Sequence, residues 1–144
     1  MSATVSGDAQ LASRLSLAVG RLHRRVRIAT NDVPPLQLST LVSIENHGPL
    51  RLGELAQREA VTAPTMSRVL VALGHRGLIV RTIDAEDARS VRVALSPEGV
   101  RVLAEVRSRR AALLDARLAR LSPEQRAALA AALPVLEAMV AEEC

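Results

Sequence analysis

LGELAQREAVTAPTMSRVLVALGHRGLIVRTIDAEDARSVRVALSPEG, residues 52–99, passes from helix-like to strand-like patterning, and that passage decides how the chain is read. From Leu52 to Glu59 a short helix is predicted, with Leu52, Leu55 and Ala56 on one face, and Ala60-Val-Thr-Ala-Pro64 breaks it. A second helix is predicted from Pro64 to Arg76, with Met66, Val69, Leu70 and Leu73 spaced for burial. Gly77 ends it at the position where a left-handed conformation costs least. Leu78-Ile-Val-Arg-Thr-Ile83 and Ser90-Val-Arg-Val-Ala-Leu95 are β-branched runs of strand length. They pair most simply as a hairpin, with Asp84-Ala-Glu-Asp-Ala-Arg89 as its solvated tip.

Helix, turn, helix, strand, charged loop, strand is the order of a winged helix-turn-helix, a module for reading duplex DNA, and the charged tip is its wing. The charge distribution points the same way. Between Glu59 and Asp84 there is no acidic residue, while Arg68, His75, Arg76 and Arg81 stand there, the footprint of a surface that faces phosphate. The formal charge is +4 and the 19 basic residues are all arginine. Arginine's planar fork suits phosphates and guanine edges, although its exclusive use reads mainly as a composition bias. Aromatic content is 0%, which argues against recognition of single strands by base stacking.

Outward from the module, Leu11 to about Ile28 carries Leu11, Leu15, Val19, Leu22 and Val26 at helical spacing. Arg14, Arg21, Arg24, Arg25 and Arg27 occupy its other sides. Asn31-Asp-Val-Pro-Pro35 breaks this helix, and another is predicted from about Gln37 to Asn46, ending at Gly48. After the wing, Ser96-Pro-Glu-Gly99 offers a capping hydroxyl before a proline and starts a long helix toward Leu121. Ser122-Pro-Glu-Gln125 repeats the device as a capping box and opens a final helix to about Val140, striped by Leu129, Leu133, Leu136 and Val140.

The expected architecture is mostly α with a small β-hairpin wing, in one domain over residues 1–144. Residues 36–96 are its DNA-reading lobe, and 8–30 and 97–144 its dimerisation helices. The terminal helices carry more apolar stripe than so short a module can cover, and a second copy of the chain is the economical cover. A stripe left exposed would be costly, since each apolar side chain fully buried contributes roughly 1.5–3 kcal/mol. No stretch reaches the roughly 20 apolar residues of a membrane span and Met1 to Gln10 lacks the pattern of a signal peptide, so a cytoplasmic protein without a membrane partner is expected. The single cysteine, Cys144, forms no intrachain disulfide, and a thiol switch through it would need another subunit or a small thiol. His23, His47 and His75 stand on separate elements without metal-ligand spacing, and neither a nucleophile–base motif nor a phosphate loop occurs. No metal, no cofactor and no enzymatic activity are expected.

These residues resemble the multiple antibiotic resistance regulator (MarR) family of bacterial transcription factors, from about Leu11 to Val140. The run from Pro64 to Arg81 looks like the family's recognition helix and the entry to its wing. Asp87-Ala-Arg-Ser90 matches its wing signature, and Leu95-Ser-Pro-Glu-Gly99 its wing exit. The resemblance implies a homodimer built from the terminal helices, with the Pro64 to Arg76 helix in the major groove and the wing over the adjacent minor groove. It also implies release of DNA by a small anionic or aromatic effector. Arg21, Arg24, Arg25 and His47 are candidates for an anion-facing wall, and equally a solvated helix face.

In such a docking the first turns of the recognition helix approach base edges, because its free amides face phosphate. Thr62, Ala63, Pro64, Thr65, Ser67 and Arg68 lie there. Thr65 and Ser67 can donate or accept. Arg68 can take guanine bidentately, worth about 1–3 kcal/mol of discrimination, or clamp phosphate and fix register only. Thr62 reads at least as well as a helix cap. In the wing, Arg89 is expected to enter a narrowed minor groove, with Asp87 accepting a hydrogen bond from it and aiming it, and Ser90 beside them. Arg76, Arg81 and Arg92 are candidate phosphate contacts, Arg81 and Arg92 equally solvated strand residues. The function expected is a sequence-specific duplex-DNA-binding regulator, most simply a repressor. Its alternatives are a non-specific architectural DNA binder and a winged-helix protein-interaction module.

Overall fold

The computed structural model describes residues 2–29 and 33–141, with side chains described from residue 7 onward. Cys144 and the Asn31-Asp32 part of the expected break lie outside the described residues. In chain order the elements are α1 (Ser2–Ala29), α2 (Pro35–His47), β1 (Leu50–Arg51), α3 (Leu52–Arg58), α4 (Ala63–His75), β2 (Ile79–Ile83), β3 (Val91–Leu95), α5 (Pro97–Leu118) and α6 (Pro123–Ala141). The helix-turn-helix, the hairpin and the terminal helices all stand where the patterning put them. The first helix runs further toward the N-terminus than the apolar spacing indicated. Residues 1–109 and 110–144 form two compact units. No helix of the described residues is long and apolar enough to cross a membrane.

The first unit closes around Leu41 of α2, Leu55 of α3, Met66, Leu70 and Leu73 of α4, Leu78, Val93 of β3 and Leu103 of α5, all buried. Met66, Val69, Leu70 and Leu73 fall on one side of α4, so that helix is fixed through its apolar stripe while the opposite side stays open. Burial of that stripe is the main force on the helix, at roughly 1.5–3 kcal/mol per side chain. Leu52, expected on the buried face of α3, is only half-buried; Leu55 and Ala56 carry that face. Thr40 is buried with them and donates its hydroxyl to the Leu36 carbonyl at 2.7 Å, so no polar group is stranded there.

The sheet has three strands in the order β1-β3-β2, one more than the expected hairpin. β2 and β3 pair antiparallel, with Ile79 opposite Leu95 and Ile83 opposite Val91. β1 adds Leu50 opposite Val93 and Arg51 opposite Arg92. Strand side chains alternate between faces, so Ile79 and Val93 point into the core while Thr82, Arg92 and Arg51 share the outer face. Gly77 has φ +70, as its place after α4 requires. Ser96 joins the hairpin to α5. Its hydroxyl donates to the Gly77 carbonyl at 2.5 Å and accepts the Gly99 N–H at 3.0 Å.

In the second unit α6 starts from a closed capping box. Ser122 Oγ accepts the Gln125 N–H at 3.1 Å and Gln125 Oε1 accepts the Ser122 N–H at 3.0 Å. None of the residues of α6 is buried, and Leu129, Leu133, Val135, Met139 and Val140 are exposed.

Candidate nucleic-acid interface

The N-terminal end of α4 is held by Thr62, whose hydroxyl accepts the Thr65 N–H at 3.4 Å and lies 2.9 Å from the Thr65 hydroxyl. Thr62 is thus the helix cap. Both hydroxyls are engaged with each other, which leaves Thr65 half-buried rather than presented. Ala63, Pro64, Ser67 and Arg68 are exposed; Pro64, Ser67 and Arg68 share the side of α4 away from Met66 and Leu70, and Ala63 is open because it begins the helix. Arg68 Nε makes a long contact to the Pro64 carbonyl at 3.4 Å, so the guanidinium lies back along the first turn with its terminal nitrogens available. Arg76, in the cap position after α4, donates to Gln37 Oε1 at 3.3 Å and is tied toward α2. Arg81 is exposed on β2.

The wing is more ordered than a solvated tip. Asp84, expected to belong to that tip, has its side chain only 5% exposed. Its carboxylate accepts Arg51 Nη2 at 2.5 Å, Arg92 Nε at 3.0 Å and the backbone N–H of Glu86 at 3.0 Å. The Arg51 hydrogen bond, then the Glu86 amide, then Arg92 hold this carboxyl well below the usual carboxylate range. The loop is closed further by the Asp84 N–H on the Ser90 carbonyl and the Ser90 N–H on the Asp87 carbonyl, both at 2.9 Å.

Asp87 does take a hydrogen bond from Arg89, and it comes from the Arg89 backbone. Its carboxylate accepts the backbone N–H of Arg89 at 3.0 Å, an Asx-type turn, and takes no bond from the guanidinium. Asp87 therefore shapes the turn that carries Arg89 instead of gripping its side chain. Among the described residues the Arg89 guanidinium is engaged in no hydrogen bond or ion pair, and it is exposed beside the half-buried Ser90. Arg92 is bound to Asp84, which the reading of it as a plain solvated or phosphate-facing strand residue did not foresee.

The structure thus brings Pro64, Ser67 and Arg68 together on one open helix side with Ala63 at its start, and sets Arg89 at the end of a braced hairpin. Arg21, Arg24 and Arg25 are exposed on α1 and His47 is exposed at the end of α2. None of these lines the surface depression formed by Glu54, Gln57 and Arg58. Arg51 and the bracing role of Asp84 were missed. Leu50-Arg51 is too short to show a strand period, and an acid at the end of a β-branched run looks like any turn residue.

The profile of the MarR family matches residues 33–91. An HTH-type transcriptional regulator of Mycobacterium bovis is 38% identical over 140 residues, covering 96% of this chain and 98% of its own. The chain belongs to the MarR family. A solved protein of Pseudomonas aeruginosa is 36% identical and superimposes with a TM-score of 0.81, covering 92% of this chain and 95% of its own. A variant of MepR from Staphylococcus aureus bound to an oligodeoxyribonucleotide shares the fold at 21% identity, with a TM-score of 0.70 over 90% of this chain and 97% of its own. As a MarR family winged-helix protein, this chain is a DNA-binding transcriptional regulator. The family match spans α2, β1, α3, α4 and β2 in full and ends at the first residue of β3.

Proposed function

We propose that this protein is a sequence-specific repressor that binds a pseudo-palindromic operator as a homodimer, with half-sites about one helical turn apart. The observation that carries the proposal is the open side and start of α4, where Ala63, Pro64, Ser67 and Arg68 stand exposed in a stretch that has no acidic residue between Glu59 and Asp84. That side enters the major groove, Arg68 reads guanine or clamps phosphate, and Arg89 enters the adjacent minor groove. Thr62 and Thr65 hold the helix start, Asp87 and Ser90 hold the wing turn, and Arg76 and Arg81 add phosphate contacts. A related HTH-type transcriptional repressor, MdtR of Bacillus subtilis, is 29% identical over 122 residues, 81% of this chain and 79% of its own, which supports repression as the sign. Release by a small anionic or aromatic effector belongs to the same proposal through the family resemblance; Arg21, Arg24, Arg25 and His47 are its candidate contacts. The chain performs no chemistry in this reading and works in the cytoplasm.

The test is a salt-controlled titration of labelled genomic fragments, including the DNA flanking the protein's own gene, against wild type and Arg89→Ala. One fragment bound by dimers and released by the variant is the expected result. Equal binding of all fragments would make the protein an architectural binder instead, and binding of none at moderate salt would make it a protein-interaction module.

A further inference from the structure

Arg51 and Arg92 are direct partners across β1 and β3, and both turn to the carboxylate of Asp84 on the outer face of the sheet. Arginines opposite each other on antiparallel strands repel, and one carboxylate neutralises only one of them. Both guanidiniums hydrogen-bond the one Asp84 carboxylate, through a single nitrogen each, so the remaining N–H groups of the pair are not used by it. Glu54 and Asp87 also lie near enough to act on Arg51, but neither hydrogen-bonds either arginine. The pair is accessible, since the side chains of Arg51 and Arg92 are 41% and 33% exposed. Asp84 engages Nη2 of Arg51, whose Nε is buried without a partner, so the outward-facing part of the guanidinium is its terminal nitrogens.

The pair's place along the hairpin matters as much as its charge. Arg92 stands three residues after Arg89, so it lies no more than about 10 Å behind it along the chain. A minor groove is about 7.5 Å deep. A wing whose Arg89 reaches the groove floor therefore carries Arg92, and Arg51 beside it at about 5 Å between backbones, to the rim where the phosphates stand. We infer that Arg51 and Arg92, gathered on Asp84 at the root of the wing, form a clamp for a phosphate of the bound duplex. The two guanidiniums together offer the phosphate their outward N–H groups, and Asp84 is the positioning residue. The inference rests on the DNA-binding reading and adds to it a contact that lies outside both the recognition helix and the wing tip.

The experiment follows duplex binding by fluorescence anisotropy over a KCl series, with labelled upstream DNA and a random duplex, for wild type, Arg51→Gln, Arg51→Lys and Arg89→Ala. Glutamine keeps an N–H for Asp84 and removes the charge. Arg51→Gln is expected to weaken binding to both duplexes by a similar factor and to lower the slope of log K on log salt by about one per protomer. Arg51→Lys should keep the wild-type slope. Weaker binding with an unchanged slope, or binding equal to wild type, would overturn the clamp. Repeating the series in inorganic phosphate at equal ionic strength should preserve the difference in slope; its disappearance would assign the pair to free phosphate and overturn the duplex contact. If wild type itself binds no duplex, the DNA-binding reading fails, whereas wild-type binding lost in Arg89→Ala but unaltered in Arg51→Gln sinks the clamp alone.

Discussion

Asp84 decides the wing at the scale of a single residue. It sits one position past the end of β2, yet its carboxylate collects a guanidinium from β1, another from β3 and an amide from its own loop. Those bonds favour the charged form, so its folded pKa lies below the ordinary value of about 3.9. A depressed folded pKa stabilises the fold above the unfolded pKa, and that contribution fades as pH falls from about 4 toward the folded value. The stability difference between wild type and Asp84→Asn, from urea unfolding followed by far-UV circular dichroism, should therefore be constant from pH 7 to pH 5 and shrink below about pH 4. A difference that varies between pH 7 and pH 5 would show that another group controls the wing. In the sequence Asp84 was visible only as one of several acids between two strands. Its burial depends on Arg51, 33 positions earlier, and no local pattern announces a partner at that distance. Thr62, by contrast, acts within its own turn, and its capping role was readable from the residues beside it.

At the scale of elements, local signals were legible and joints between elements were not. The apolar spacing of Met66, Val69, Leu70 and Leu73 placed α4, and the two β-branched runs placed β2 and β3, because each pattern repeats within its own segment. β1 was invisible because it has two residues and exists only through its pairing with β3. Ser96-Pro-Glu-Gly99 shows both cases at once. The cap was readable from the serine and proline, and Ser96 Oγ does accept the Gly99 N–H. The same hydroxyl also donates to the Gly77 carbonyl, which locks the end of the α4 turn to the start of α5. Gly99 belongs to this joint. A Cβ there would overlap the carbonyl oxygen of Leu78, a backbone atom that cannot swing aside. Alanine gains up to about 1 kcal/mol of helix propensity over glycine, but the overlap forces β2 and α5 apart. Gly99→Ala is expected to lose about 1–3 kcal/mol, read as a lower thermal midpoint in circular dichroism. A midpoint at or above that of wild type would mean that the joint yields freely.

At the scale of the whole molecule, the decisive fact is how much apolar surface a single chain leaves uncovered. On α1, Leu11, Val19 and Leu22 are exposed, Leu15 is half-buried and Val26 is buried. On α6, Leu129, Leu133 and Val140 are exposed and Leu136 is half-buried. Both stripes were drawn from spacing alone, and the sequence could give their direction along the helix but not what lies against them. Side chains of this kind stabilise a structure by roughly 1.5–3 kcal/mol each once covered, and contiguous exposed patches on single chains usually mark contact sites. A second copy that covers them also links two α4 helices, so the second half-site is bound at a raised effective concentration. Dimerisation and operator affinity should then fail together. Leu129→Glu with Leu133→Glu is expected to sediment as a monomer where wild type sediments as a dimer, with unchanged helicity by circular dichroism. Affinity for the full operator should fall by about a hundredfold or more, while affinity for an isolated half-site stays at the wild-type value. Wild type sedimenting as a monomer at micromolar concentration, or a double variant that still binds the full operator as tightly, would mean that these stripes serve some contact other than the one that joins two DNA-reading lobes.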